Sequence, residues 1–139
     1  MYNLFISYQW DSKDLVLKIV NELKENYRQK IWIDENEIIA GKDLHSSIQN
    51  GINNSELILA FVTKKYCESA SCIQEIKYSN RTNKKILFII LEKLEIKRLP
   101  NGMGLFVSEK CCFNVYNQRW TEKTLLKLAQ AIISVKNEL

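Results

Sequence analysis

Two segments of the chain are apolar at successive positions instead of alternate ones: ELILAFVT (56–63) and KKILFIILE (84–92). A strand with one face in water alternates apolar and polar residues, because successive side chains point to opposite faces. A strand covered on both faces has no such need, and that is the habit of parallel sheets with helices above and below. These two runs therefore place parallel strands in the middle of the fold and require helical layers on either side.

The remaining segments supply those layers. NLFISY (3–8) and KIWID (30–34) read as further strands, and KCCFNVYN (110–117) as a fifth. SKDLVLKIVNELKENY (12–27) carries Leu15, Ile19, Val20 and Leu23 at helical spacing, with Ser12 as N-cap. LHSSIQNGI (44–52) is a helix with apolar residues at 44, 48 and 52, weakened by Gly51. SCIQEIKYSNR (71–81) is a helix whose inward stripe is Cys72, Ile73, Ile76 and Ser79. The closing helix (121–139) has Thr121 as cap and turns Leu125, Leu128, Ala129, Ile132 and Ile133 inward. ENEIIAGKD (35–43) is a loop, and KLEIKRLPNGMG (93–104) a loop or broken helix. Strands alternating with helices predict one doubly wound α/β domain over residues 1–139. With strand 1 reached so early, the chain reads equally as a stand-alone protein or as a domain of a larger one.

Composition narrows the function. The net charge is +4 with no run of five like charges, which argues against a nucleic-acid partner. MYNLFISYQW has no basic region followed by a long apolar one, so no signal peptide is expected. The longest apolar run, ILFIIL, is too short to enter a bilayer as a span. Cys67, Cys72, Cys111 and Cys112 lack paired CxxC spacing, so they read as reduced packing cysteines of a cytoplasmic protein and no metal is expected. His45 is the only histidine and reads as solvated. No GxGxxG or Walker sequence occurs.

A doubly wound sheet binds ligands at the carboxyl ends of its strands, where strand order reverses. In the flavodoxin-like order that point lies between strands 1 and 3. Ser7, Tyr8, Gln9, Trp10 and Asp11 leave strand 1, Asp34 leaves strand 2, and strand 3 leads to Thr63, Lys64, Lys65 and Tyr66. The helix that follows carries Glu75, three residues after Cys72 and four before Ser79, beside the packed stripe and flanked by small residues. Spacing leaves two roles open for it: a border residue reaching solvent or pairing with Lys84, or a carboxylate aimed into the crevice.

FISYQWDSKD, WIDENEIIAGKDL and SIQNGINNSELILAFVTKKYCESASCIQEI, followed by KKILFIILE, resemble in order and spacing a Toll/interleukin-1 receptor (TIR) domain, over roughly residues 3 to 92 with continuation to 137. The chain looks most similar to the cytosolic TIR domains of invertebrates, protists and bacteria. The resemblance implies a flavodoxin-like fold, a five-stranded parallel sheet with helices on both faces. It implies one of two functions. Some members cleave NAD+ at the nicotinamide–ribose bond, with cyclase or base-exchange variants, in immune or cell-death signalling. Others are non-enzymatic scaffolds acting through TIR–TIR assembly. A third possibility is a module that binds NAD+ without cleaving it. In the enzymatic reading Glu75 matches the catalytic glutamate, Ser7, Tyr8, Gln9, Trp10, Asp34, Ser71 and Cys72 match substrate-binding positions, and NAD+ is the substrate with no cofactor. Glu37, Ile39, Gly41 and Lys42 match the BB loop, which gates the pocket and forms assembly contacts. Many enzymatic members have a Trp four residues before the glutamate; here Ser71 stands there, leaving Trp10, Tyr66 or Tyr78 to supply a ring.

One carboxylate suffices for that chemistry. Nicotinamide departs neutral, because its ring nitrogen is cationic in NAD+, so no general acid is required, unlike ordinary glycoside hydrolysis. The carboxylate then stabilises the developing ribosyl cation and holds the ribose hydroxyls.

Overall fold

The computed structural model describes residues 1–34, 44–109, 111–116 and 118–138. Glu37, Ile39, Gly41 and Lys42 lie outside the described residues. The strands are β1 (Tyr2–Tyr8), β2 (Ile31–Trp32), β3 (Ser55–Val62), β4 (Lys85–Ile90) and β5 (Cys111–Asn114). They form one parallel sheet in the order β2-β1-β3-β4-β5. The described helices are α1 (Lys13–Tyr27), α2 (Leu44–Asn53), α3 (Lys64–Glu68), α4 (Ala70–Arg81), α5 (Met103–Glu109) and α6 (Glu122–Lys136). This is the flavodoxin-like α/β fold, with its switch point between β1 and β3.

The period of two sorts each strand between two cores. Leu4, Ile6, Leu57, Leu59, Phe61, Leu87 and Ile89 pack against Val16, Ile19, Val20 and Leu23 of α1 and Leu125, Leu128, Ile132 and Val135 of α6. Phe5, Ile58, Ala60, Val62, Ile86, Phe88 and Ile90 pack on the other side against α2 to α5. Ser7 shares the parity of Phe5 and is carried to the second side. Each fully buried Leu or Ile contributes about 1.5–3 kcal/mol by leaving water.

Several expectations shift. Helix α1 buries Val16 in place of Leu15, and Ser12 makes no side-chain cap. A short 3-10 turn, Trp10–Ser12, precedes α1 instead, and the Gln9 side chain accepts from the Asp11 N–H at 2.9 Å. The β2 ladder is limited to two residues, as suits an edge strand. Helix α3, not anticipated, starts at Thr63, whose hydroxyl accepts from the Tyr66 N–H at 3.1 Å. The 93–104 stretch contains a 3-10 turn at Ile96–Arg98 and the start of α5. Thr121 caps α6 as expected, but Val135 is buried there while Ile133 is 57% exposed.

Gly51 has a packing reason. A Cβ at this position would lie 2.6 Å from the Trp32 indole. The bare backbone lets α2 lie flat on Trp32, which itself stacks on Phe5 with ring centroids 4.7 Å apart.

Candidate functional site

Helix α4 begins where Ser69 accepts from the Cys72 N–H at 3.3 Å. Its inward stripe is Cys72, Ile73, Ile76 and Ser79, as the spacing predicts. Glu75 sits at the edge of that stripe, partly exposed. It faces an open-sided cleft of about 220 Å³ between α2 and α4. Leu44, His45, Ile48, Gln49 and Ile52 form one wall; Ser71, Gln74, Glu75 and Tyr78 form the other. Among the described residues, the lining includes no Lys or Arg.

Burial pushes the Glu75 carboxyl up to about 8, with Asp34 adding like-charge repulsion and a hydrogen bond from Ser7 opposing both. Lys84 does not neutralise it: the ammonium donates to the main-chain oxygens of Asn53 (3.0 Å) and Ser55 (2.9 Å). Ser79 donates to the main-chain oxygen of Glu75 at 2.6 Å, so it leaves the carboxyl group untouched while its small size leaves space.

Behind Glu75, the Ser7 hydroxyl lies 2.6 Å from the Tyr66 hydroxyl in a buried pair. Tyr8 donates to Asp34 Oδ1 at 3.2 Å. The Cys72 thiol donates to the Tyr8 main-chain oxygen at 3.4 Å and ties α4 to the end of β1. Burial pushes this thiol up to about 12, which makes it a packing group and not a nucleophile. Gln9 lines a separate cleft with Asp11, Ser12, Thr63, Lys64, Lys65 and Glu92. Trp10 is 62% exposed, with the Lys13 ammonium 4.3 Å from its ring centroid.

Ser7, Asp34, Ser71 and Cys72 are thus gathered around Glu75, with Tyr8 held to Asp34; Gln9 and Trp10 stand over the neighbouring cleft and the first turn. Of the three candidate rings for the Trp missing at Ser71, Tyr78 lines the cleft, its hydroxyl donating to Asn53 Oδ1 at 2.7 Å. Tyr66 is fully enclosed. Tyr78 was one of the candidate rings, whereas His45, Gln49 and Gln74 were not legible as cleft residues. His45 and Gln49, one turn apart, gave a signal only once the partner helix was known.

Among the described residues, no group of three His, Cys, Asp or Glu side chains could hold a metal, and no helix is long and apolar enough to cross a membrane.

No curated protein matches the sequence. Among solved structures, the chain is similar to the TIR domain of the Toll-related receptor TRR-2 from Hydra magnipapillata, at 14% identity and TM-score 0.74, covering 99% of this chain and 100% of that one. It is similar to a prokaryotic SEFIR domain at 21% identity and TM-score 0.65, covering 99% and 100%. It is also similar to the CMP N-glycosidase BcmB of Clostridium botulinum at 18% identity and TM-score 0.57, covering 92% and 98%. At these identities the likenesses establish the fold alone. The family model described as TIR domain matches residues 4–129, nearly the whole sequence, and the chain belongs to the TIR domain family.

Proposed function

We propose that this TIR domain is an N-glycosidase that cleaves the nicotinamide–ribose bond of NAD+ in the cytoplasm, with Glu75 as the catalytic carboxylate and TIR self-association promoting the activity. The observation that carries this reading is a desolvated carboxyl group at the switch-point end of the sheet, in a cleft whose described lining residues include no Lys or Arg. A substrate that is itself cationic at the scissile bond supplies the missing charge. Its arrival draws the proton off Glu75, and the carboxylate then faces the ribosyl cation as it develops. Tyr78 offers a ring for the departing base, and the Gln49 and Gln74 amides offer partners for a carboxamide.

The test is nicotinamide release from NAD+ by concentrated protein, wild type beside Glu75→Gln. A loss of about 10²–10³-fold in the variant, with the fold retained, is expected. No release from folded wild type, with or without a crowding agent, would transfer the function to TIR–TIR scaffolding, with Glu75 incidental.

A second reading draws on the position of the Glu75 titration, at about 8. At neutral pH the group is mostly protonated, and a neutral carboxyl can act as general acid for a base that departs as an anion, as in a pyrimidine nucleotide such as CMP. The two readings differ in the sign of the pH dependence. NAD+ cleavage rises as Glu75 ionises; pyrimidine-nucleotide cleavage falls through the same range.

A further inference from the structure

The amino edge of the sheet, opposite the end that carries Glu75, has a cavity of its own. It measures about 440 Å³ and lies at the starts of β3 and β4 and the end of α6. Its lining includes three lysines, Lys84, Lys85 and Lys136, and, among the described residues, one carboxylate, Glu56. The proposed chemistry makes no use of it.

The three lysines are half-buried, and the Lys136 side chain is only 20% exposed. The Lys84 ammonium donates to the main-chain oxygens of Asn53 (3.0 Å) and Ser55 (2.9 Å). The Lys85 ammonium donates to the main-chain oxygens of Lys136, at 3.0 Å, and of Glu138. The Lys136 ammonium stands 3.4 Å from the Glu56 carboxylate. Helices α2 and α6 both end here, so Lys84 and Lys85 serve first as partners for carbonyls at helix C-termini. That service does not exhaust them. An ammonium has three N–H groups. The contacts just named use two on Lys84, two on Lys85 and one on Lys136.

Charge counting gives the same answer. Each helix end carries about half a negative charge, and Glu56 carries a full one. Against three ammonium groups, about one positive charge is left over in the cavity. An exposed lysine relieves such crowding by swinging its head into water, but the main-chain bonds of Lys84 and Lys85 hold theirs in place. A mobile surface lysine must also be immobilised before it can hold a ligand, which costs rotamer entropy. Here the fold has already fixed two of the three.

We propose that this cavity is a binding site for a phosphate group. A phosphate monoester carries roughly one and a half to two negative charges at neutral pH and presents three strong acceptor oxygens. Those oxygens point in different directions, which suits donors arriving from both β4 and α6; a carboxylate offers two oxygens in one plane. The described lining has no aromatic ring on which a nucleobase could stack. The volume falls within the range of about 300–1,000 Å³ typical of small-molecule sites and leaves room for a sugar beyond the phosphate. The site stands independently of Glu75 and of the glycohydrolase reading.

The experiment is calorimetric titration of the whole chain with inorganic phosphate and, side by side, with ribose 5-phosphate, at low ionic strength where screening is weak. Wild type is expected to give saturable binding. Lys136→Gln is expected to weaken it about tenfold, because a charge-assisted donor is lost. Lys127→Gln, an exposed position on the same helix outside the cavity, is expected to leave it within about twofold. Glu56→Gln is expected to tighten it about threefold, because the opposing charge is gone and Lys136 is released from its partner. Tighter binding of the ester supports a sugar-phosphate site, and equal or weaker binding of the ester supports a site for the free ion. No saturable binding to folded wild type overturns the proposal, as does equal weakening by Lys136→Gln and Lys127→Gln, which would mean that only net charge matters. If Lys136→Gln does not fold, Glu56→Gln decides: tighter binding supports the site, and unchanged or weaker binding overturns it.

Discussion

The two faces of the sheet are built from the same strands and do different work. The face under α1 and α6 is packed almost wholly with Leu, Ile, Val and Phe, and its helices bury stripes of the same kind. The face under α2 to α5 holds Trp32, Tyr66, Cys67 and Cys72 among its aliphatics, with the Ser7 hydroxyl beside them and Glu75 at its border. Apolar packing is non-directional and tolerates many sequences. Buried hydroxyls and a desolvated carboxyl tolerate few, since each must find a partner. Stability is thus concentrated on one face, and on the other part of it is given up to hold a titratable group out of water.

The sharpest way to break this contrast is a matched pair of substitutions. Leu4→Ala, on the face under α1 and α6, removes a side chain with no exposure and is expected to cost about 2–5 kcal/mol in denaturant unfolding. Glu75→Gln is expected to do the opposite and stabilise, by roughly 2–4 kcal/mol at its fullest, because it removes a charge that the fold desolvates. If Glu75→Gln destabilises at pH 8 or above, the carboxylate is better solvated than its position implies and the contrast fails.

The pH dependence of that gain sharpens it. The Glu75 carboxyl rises from its ordinary 4.5 to about 8 on folding. Between these values the folded state holds a proton that the unfolded state has lost, so stability falls as pH rises. Below about 4.5 both states are protonated and wild type and Glu75→Gln should have equal stability; the gap should open through the window and level off above about 8. Paired urea melts across pH 4 to 9 measure it directly. A flat difference would assign the effect of the substitution to packing.

How much of this was legible depends on which interaction was being read. The unbroken apolar runs of β3 and β4 required a two-sided sheet, and parity alone then sorts Leu57 and Leu59 from Ile58 and Ala60. Glu75 was legible as an awkward carboxylate, because helical spacing is local. What surrounds it was not. Helix α3 is one turn long and carries no periodic signal, so the burial of Tyr66 could not be foreseen. The pairing of Tyr66 with Ser7 spans 59 positions. Lys84 was a reasonable partner for Glu75 by charge, yet main-chain oxygens at the end of α2 and the start of β3 claim it. Pro100, Gly102 and Gly104 punctuate the segment before β5 so heavily that 93–104 read as a loop or broken helix and α5 (Met103–Glu109) was not anticipated.

Smaller effects test how the cleft wall is set. Gly51→Ala gains helix propensity, about 1 kcal/mol. It also sets a Cβ 2.6 Å from the Trp32 indole, a ring buried and stacked on Phe5 that cannot swing aside. Overpacking of that kind costs about 1–3 kcal/mol, so a net loss of up to about 2 kcal/mol is expected in thermal or urea unfolding. Because α2 forms the wall opposite Glu75, the proposed NAD+ site predicts a changed affinity for NAD+ as well, readable by calorimetric titration. A stabilised Gly51→Ala would mean that α2 rides freely over Trp32, and the cleft would then have one movable wall.

The smallest expected effect belongs to Ile133 on α6, and its neighbour Ile132 is the control. Ile132 is 2% exposed in the core of the first face, and Ile133, one step of about 100° around the helix, is 57% exposed. Ile132→Ala should cost about 2–5 kcal/mol, and Ile133→Ala should fall within about 0.5 kcal/mol of wild type in the same melts. The sequence pattern had turned both inward; burial of Val135, three residues beyond Ile132, rotates the stripe away from Ile133. A dilute melt reads only the folded monomer, so repeating it at high protein concentration adds information. A penalty for Ile133→Ala that grows with concentration would mean that a second copy covers this residue, and the quiet face would then contribute to assembly as well as to stability.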